Sequence, residues 1–279
     1  MTYRELWRGL VPLYGEREAK AIVDYVLGVR FGLSKADVLC GSVEGMGADD
    51  AAELCRIQSR LLQGEPVQYV IGKAEFGGRE FAVRPGVLIP RPETEELCAC
   101  VVADNGCNAP LRVLDVGTGS GCIALTLKLD MPQCAVTGWD ISAEALAVAR
   151  DNAVRLGADV AFSRHDILAE APQAEAWDII VSNPPYICEK EKEGMERNVL
   201  DHEPKLALFV PDDSPLLFYD AIAAFASCSL RPGGRLYMEI NPLYADETAN
   251  AMSRHGLCGV QVRSDAYGRR RMVRATKQK

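Results

Sequence analysis

Three carboxylates and one carboxamide stand where short apolar runs end in this chain of 279 residues. Asp115 comes near the end of "LRVLDV", Asp140 ends "TGWD", Asp166 follows "AFSRH", and Asn183 closes "WDIIVSN". Pro184, Pro185 and Tyr186 follow Asn183 directly. Two consecutive prolines lock φ, remove two backbone donors and push the preceding residue towards an extended shape. Asn183 is therefore expected at a strand tip with its carboxamide directed outward. A rigidly presented amide is a poor core element and a good hydrogen-bonding clamp.

The carboxylates suggest what lies beside that clamp. Asp115 leads into Gly117-Thr118-Gly119-Ser120-Gly121, followed by an apolar helical run. Glycines there permit a tight turn and let a ligand approach bare backbone. The GxGxG spacing differs from the dinucleotide fingerprint, and an acid entering the loop repels a pyrophosphate while it can receive a cationic amino acid. Asp140, with Ile141 after it, lies 19 residues beyond Gly121, where an acid accepts both ribose hydroxyls. Asp166 is placed to accept from an adenine amino group, with Ile167 against the base. Each acid alone reads as a helix cap or solvated loop end. Three of them at successive strand ends around a glycine loop point to a positively charged nucleoside, S-adenosyl-L-methionine, with Asn183 at its reactive end.

Elements that would carry these residues are legible in the pattern. After residue 110, strands are expected at 111–116, 134–139, 159–163, 177–182 and 235–240, with helices at 121–129, 143–156, 214–229 and 245–255. Such alternation predicts an α/β domain with a mostly parallel, doubly wound sheet. Two further strands are expected near 258–263 and 270–274. Residues 1–64 read as short helices with buried stripes at Ala19, Ile22, Val26, Val29 and at Leu54, Ile57, Leu61. Ser34 and Asp49 are expected N-caps and Gly64 a stop. Residues 65–88 alternate around Gly77-Gly78 and predict a β-hairpin linker, leaving 89–279 as the nucleoside-binding domain.

Composition narrows the function classes. A net charge of −8 argues against a protein that mainly grips a phosphate backbone. The basic run at 268–271 reads as charge on a terminal strand edge. Ten cysteines form no CxxC pair and no zinc-spaced cluster, so no metal is expected. Most lie in apolar sequence, Cys107 among them, where cysteine behaves as a small hydrophobe. With no signal pattern and no apolar run of membrane-spanning length, a cytoplasmic protein with reduced thiols is expected, with no membrane partner.

The combination of GxGxG and "NPPY" resembles amino-group methyltransferases with a [D/N/S]PP[Y/F] motif. "LIPRPETE" (88–95), the hairpin before it, "EPKLALF" (203–209) and "DAYGRRRMV" (265–273) resemble a narrower family, the protein-(glutamine-N5) methyltransferases of class 1 peptide chain release factors. The resemblance spans the whole chain. It implies a Rossmann-like class I methyltransferase domain and a substrate glutamine in a Gly-Gly-Gln loop. Asn183 and the Pro184 carbonyl would then accept from the amide nitrogen, with Pro185 and Tyr186 against it and Arg91 a further candidate substrate contact. The acids of "PRPETE" read as helix capping, with Pro92 in the first turn. Ile167 departs from the bulky aromatic often found at that place in the family, and His202 from the aromatic often found before "EP". An adenine-N6 methyltransferase acting on DNA or RNA shares NPPY but must flip a base and grip phosphates. A binding module without turnover would not need Asn183.

Overall fold

Capping chemistry at Thr2 starts the chain: its hydroxyl accepts from Glu5 N at 3.1 Å and its N–H donates to the Glu5 carboxylate at 2.8 Å. The computed structural model describes residues 1–106, 110–172 and 174–278; Cys107 lies outside them. The chain divides into two compact units, Met1–Lys73 with Glu196–His202, and Ala74–Met195 with Glu203–Lys279.

In the first unit α1 (Tyr3–Phe31), α2 (Lys35–Leu39), α3 (Ala48–Leu61) and α4 (Val67–Ile71) follow one another. α1 spans 29 residues but is two shorter helices joined at Gly15, whose φ of 73° lies outside the helical range, in keeping with the short helices expected there. Ala19, Ile22 and Val26 are buried, but Val29 is exposed, because the buried stripe continues through Val23 and Leu27 instead. Ser34 caps α2 as expected. Gly47, not Asp49, caps α3; Asp49 lies in the first turn, where its charge meets the helix N-terminus. Val70 of α4 packs with Leu54, Ile57 and Leu61, so the helical core extends past residue 64.

The second unit opens with a hairpin, β1 (Lys73–Phe76) and β2 (Arg79–Ala82). Gly77 and Gly78 both have positive φ, as a two-residue turn of the right twist requires. Phe76 and Phe81 meet edge to face at 5.9 Å and are fully buried. The hairpin expected to be a linker is thus part of the sheet unit's core. Next come α5 (Pro92–Asn105), β3 (Arg112–Val116), α6 (Cys122–Asp130), β4 (Ala135–Asp140), α7 (Ala143–Leu156), β5 (Ala161–Arg164) and β6 (Trp177–Ser182). Buried Asn152 of α7 ties the hairpin to the glycine loop, donating to Ala82 O at 3.0 Å and Ser120 O at 2.9 Å.

Beyond β6 lie the short β7 (Ile187–Cys188), α8 (Arg197–His202, in the helical unit), α9 (Lys205–Leu208) and β8 (Phe209–Val210). The chain ends with α10 (Leu217–Ser229), β9 (Leu230–Glu239), α11 (Ala245–Arg254), β10 (Leu257–Ser264) and β11 (Arg270–Lys277). The seven-stranded sheet has the order β10-β11-β9-β6-β3-β4-β5, and among these strands β11 alone runs against the rest, antiparallel to both β10 and β9. β9 starts at Leu230, earlier than the expected 235, because residues 231–234 are carried on the strand with a register irregularity opposite β6.

Alternation sorts the strand residues between two cores. Leu114, Val116, Ile180, Leu236 and Met238 face α10 and α11. Val113, Ile179, Val181 and Tyr237 face the other way, onto α5 and α6. Among the described residues no helix is long and apolar enough to cross a membrane.

Candidate active site

Strand order reverses between β3 and β6, and in such sheets ligands bind beyond the carboxyl ends at that point. A cavity of about 390 Å³ lies there, lined by Gly117, Gly119, Asp140, Ile141, Asp166 and Ile167 on one side. Asn183, Pro184 and Pro185 line the other side, with Leu206 of α9 at its rim. Its size is that of a small-molecule site.

On the first side the glycine loop hangs from β4. Gly117 N and Thr118 N both donate to Trp139 O at 2.8 Å. Gly119 has φ 55° and open space where a Cβ would stand, leaving backbone bare to the cavity. Asp140 accepts Gly119 N at 2.8 Å and Ser142 N at 2.9 Å, one per oxygen, and its carboxylate has room for further donors. Burial pushes its pKa up, against backbone bonds from Ser142, Gly119 and Ile141, and among the described residues no cation offsets that rise. Asp166 closes its own turn through Leu168 N at 3.0 Å and keeps its other oxygen without a partner among the described residues. Trp139 stacks on His165 at 4.0 Å, so the wall between the two acids is flat and aromatic.

Asn183 stands on the other side at the tip of β6, on the parity of Val181 and therefore towards α5. Its Nδ2 donates to Thr94 Oγ1 at 3.0 Å. Thr94, in the first turn of α5, donates to Glu239 Oε2 at 2.7 Å. Tyr186 OH donates to Glu239 Oε1 at 2.9 Å. Glu239 is buried at the end of β9, and burial raises its pKa while the Thr94 and Tyr186 bonds oppose the rise. The Tyr186 phenol is pushed well above its ordinary value, first by burial and then by the Glu239 charge. Asn241 N bonds Tyr219 OH at 2.9 Å, and its side chain donates to Tyr186 O at 3.1 Å, fixing the far end of the loop.

Several expected site residues sit elsewhere. Asp115 does not face the cavity: it is fully buried beneath the loop, accepting Thr118 Oγ1 at 2.6 Å and Ala124 N at 3.2 Å. The reason is register. Asp115 pairs with Gly138, two residues short of Asp140, and so lies under the loop rather than level with it. Thr118 and Ser120 are likewise buried outside the lining, and Gly121 is where α6 approaches α7, a Cβ there meeting Ala149 Cβ at 3.2 Å. Tyr186 packs against the α10 core with its hydroxyl on Glu239, outside the lining. Arg91 also lies outside it, paired with buried Glu203 at 2.6 Å, whose second oxygen takes Ile89 N at 3.2 Å. The sequence reading passed over Thr94 and Glu239. Glu239 left one signal, a carboxylate inside the otherwise apolar run "LYMEI".

Comparison with known proteins places this geometry. Residues 99–203 match the family described as methyltransferase small domain, and residues 14–72 match the PrmC N-terminal domain. The structure of a methyltransferase from Pyrococcus furiosus superposes with a TM-score of 0.54 at 17% identity, over 80% of this chain and 99% of that one. A T. thermophilus 16S rRNA methyltransferase in complex with AdoMet and guanosine also superposes with a TM-score of 0.54, at 19% identity, over 74% of this chain and 50% of that one. At such identities these two show the fold alone. A release factor glutamine methyltransferase of Flavobacterium psychrophilum is 36% identical over 96% of this chain and 95% of its own length. One from Bacteroides thetaiotaomicron is 45% identical over 97% of both. At that identity over nearly the full length, the chain belongs to the release factor glutamine methyltransferase family.

Proposed function

We propose that this chain transfers a methyl group from S-adenosyl-L-methionine to the side-chain amide nitrogen of the Gly-Gly-Gln glutamine in class 1 peptide chain release factors. One observation carries the reading: Asn183, whose carboxamide oxygen has no partner among the described residues, stands across a nucleoside-sized cavity from an acid with spare acceptor capacity, Asp140. Family membership names the substrate class.

The residues fit the cofactor. Asp140 would hold the ribose diol, Asp166 the adenine amino group, and Ile141 and Ile167 the base, while the bare backbone of Gly117 and Gly119 admits the amino-acid end. When bound, the cofactor supplies an electrophilic methyl group on a sulfonium. Everything else falls to the chain. An amide nitrogen is a weak nucleophile because its lone pair is delocalised into the carbonyl. Asn183 Oδ1 and the Pro184 carbonyl accept its two hydrogens out of the amide plane, which favours the pyramidal transition state over the planar ground state. The rigid Pro184-Pro185 turn keeps both acceptors in place, so that nitrogen and methyl carbon are aligned before reaction. The nitrogen would gain the methyl group as the carbon–sulfur bond breaks and the sulfonium leaves as a neutral thioether, and it would release one proton to water; no basic side chain is needed before attack.

The helical region, residues 1–64, is assigned to partner recognition. A short glycine-rich loop supplies little of the roughly 800 Å² per side that stable protein partners bury. The acid-rich chain suits a protein partner in the cytoplasm better than nucleic acid. Incubation of the chain and S-adenosylmethionine with release factor, followed by mass spectrometry, should show one methyl on the Gly-Gly-Gln glutamine. Methylation of DNA or RNA adenine instead, with the release factor unmodified, would replace this reading with the adenine-N6 one.

A further inference from the structure

A carboxamide can present either its oxygen or its NH₂ to a neighbour, and the two orientations occupy nearly the same space. Only the oxygen end of Asn183 helps a reaction at a substrate amide; the NH₂ end would oppose the substrate hydrogens with its own. Something must therefore choose.

Thr94 sits between Asn183 and Glu239, with its hydroxyl oxygen 3.0 Å from the amide and 2.7 Å from the carboxylate. A hydroxyl has one proton to give and two lone pairs, whereas a carboxylate only accepts. With Glu239 ionised, the Thr94 proton is committed to it. What Thr94 turns to Asn183 is then a lone pair, which accepts only the NH₂ end. Tyr186 OH occupies the second carboxylate oxygen at 2.9 Å, so Glu239 is held from both sides. Thr94 and Glu239 are each 2% exposed, which shields the chain of bonds from competing water. Neither lines the cavity, so both act through Asn183.

We propose that Thr94 and Glu239 are positioning residues that hold the Asn183 carboxamide oxygen-first towards the methyl-accepting nitrogen. This assignment rests on the methyl transfer proposed above. It also gives "PRPETE" a role beyond capping, since Thr94 is its buried member and reaches Asn183 and Glu239 from the first turn of α5.

The test uses the full chain with release factor as substrate. Thr94→Val keeps the side chain's shape and removes the hydroxyl; Thr94→Ser keeps the hydroxyl. For Thr94→Val, kcat should fall at least about tenfold while KM and S-adenosylmethionine affinity stay within about twofold. Thr94→Ser should return kcat to within about threefold of the unaltered chain. A Thr94→Val variant that turns over normally, a loss shared equally by cofactor affinity, or a Thr94→Ser variant as slow as Thr94→Val would each overturn the proposal. If Thr94→Val fails to fold, Thr94→Ser against Thr94→Ala decides on the same readouts. Failure of the unaltered chain to methylate release factor would count against the proposed function, whatever the Thr94 variants do.

Discussion

The two sides of the cavity are built differently. On the nucleoside side, Asp140 bonds to Gly119 and Ser142 and Asp166 to Leu168, all neighbours in one loop or in adjoining strand ends. On the amide side, Asn183, Thr94, Glu239 and Tyr186 come from three separate segments, and 145 residues separate Thr94 from Glu239. The first side presents acceptors, on Asp140 and Asp166, that are held by short-range backbone bonds and face the cavity. The second is a linked chain of donors and acceptors that ends on the Asn183 oxygen, which has no partner among the described residues. Binding can therefore be assembled from local turns, whereas orienting a weak nucleophile needs groups locked together by the tertiary fold.

If the sides are separable in this way, variants should split binding from turnover. Asn183→Ala is expected to lower turnover at least about 100-fold, the scale of losing one preorganised transition-state contact, while cofactor affinity stays within about tenfold. Near-normal turnover with tritiated cofactor would reduce the proline turn to a structural element.

Asp140→Ala should do the opposite and weaken S-adenosylmethionine binding by about 1.5–3 kcal/mol, roughly ten- to a hundredfold, through lost charge-assisted bonds. Unchanged affinity by calorimetry would remove Asp140 from the nucleoside side.

The smallest effect concerns Asp115 and sharpens the contrast with Asp140. Burial pushes the Asp115 pKa up from 3.8 to about 7, against the Thr118 and Ala124 bonds and helped by the nearby Asp140 charge. The folded chain then holds a proton that the unfolded chain has released. Stability from this group is full below pH 3.8 and is lost as pH rises towards about 7. Asp115→Asn lacks that slope, so its melting temperature relative to the unaltered chain should climb between pH 5 and pH 7.5, by a modest amount. Parallel melting curves across that range would show that Asp115 is already ionised in the fold.

Much of the architecture was legible because its signals are local. Apolar runs of five or six residues between helical periods placed β3, β4 and β6 within a residue or so, and the paired glycines placed the hairpin turn. Glycine loops and proline turns are likewise local, so the cavity's Gly117, Gly119, Asn183 and Pro184 could be named in advance. Long-range partners were not legible. Nothing in "PETEE" distinguishes Thr94 as the residue that meets Asn183, and nothing beside Arg91 announces its ion pair with Glu203, 112 residues away.

Asp115 and Asp140 mark the boundary between the two kinds of knowledge. In sequence they are alike, each an acid at the end of an apolar run before a loop. The sequence alone determined that polar groups would collect at the carboxyl ends of a parallel sheet, because strand period, turn residues and helix caps depend only on near neighbours. Tertiary structure decided which of them reach the cavity. Pairing Asp115 with Gly138 sets it two residues lower than Asp140, beneath the glycine loop. Strand parity then turns Asn183 and Glu239 together onto Thr94. Register and parity between distant strands are fixed by the packing of two cores at once, and no single stretch of chain contains that information.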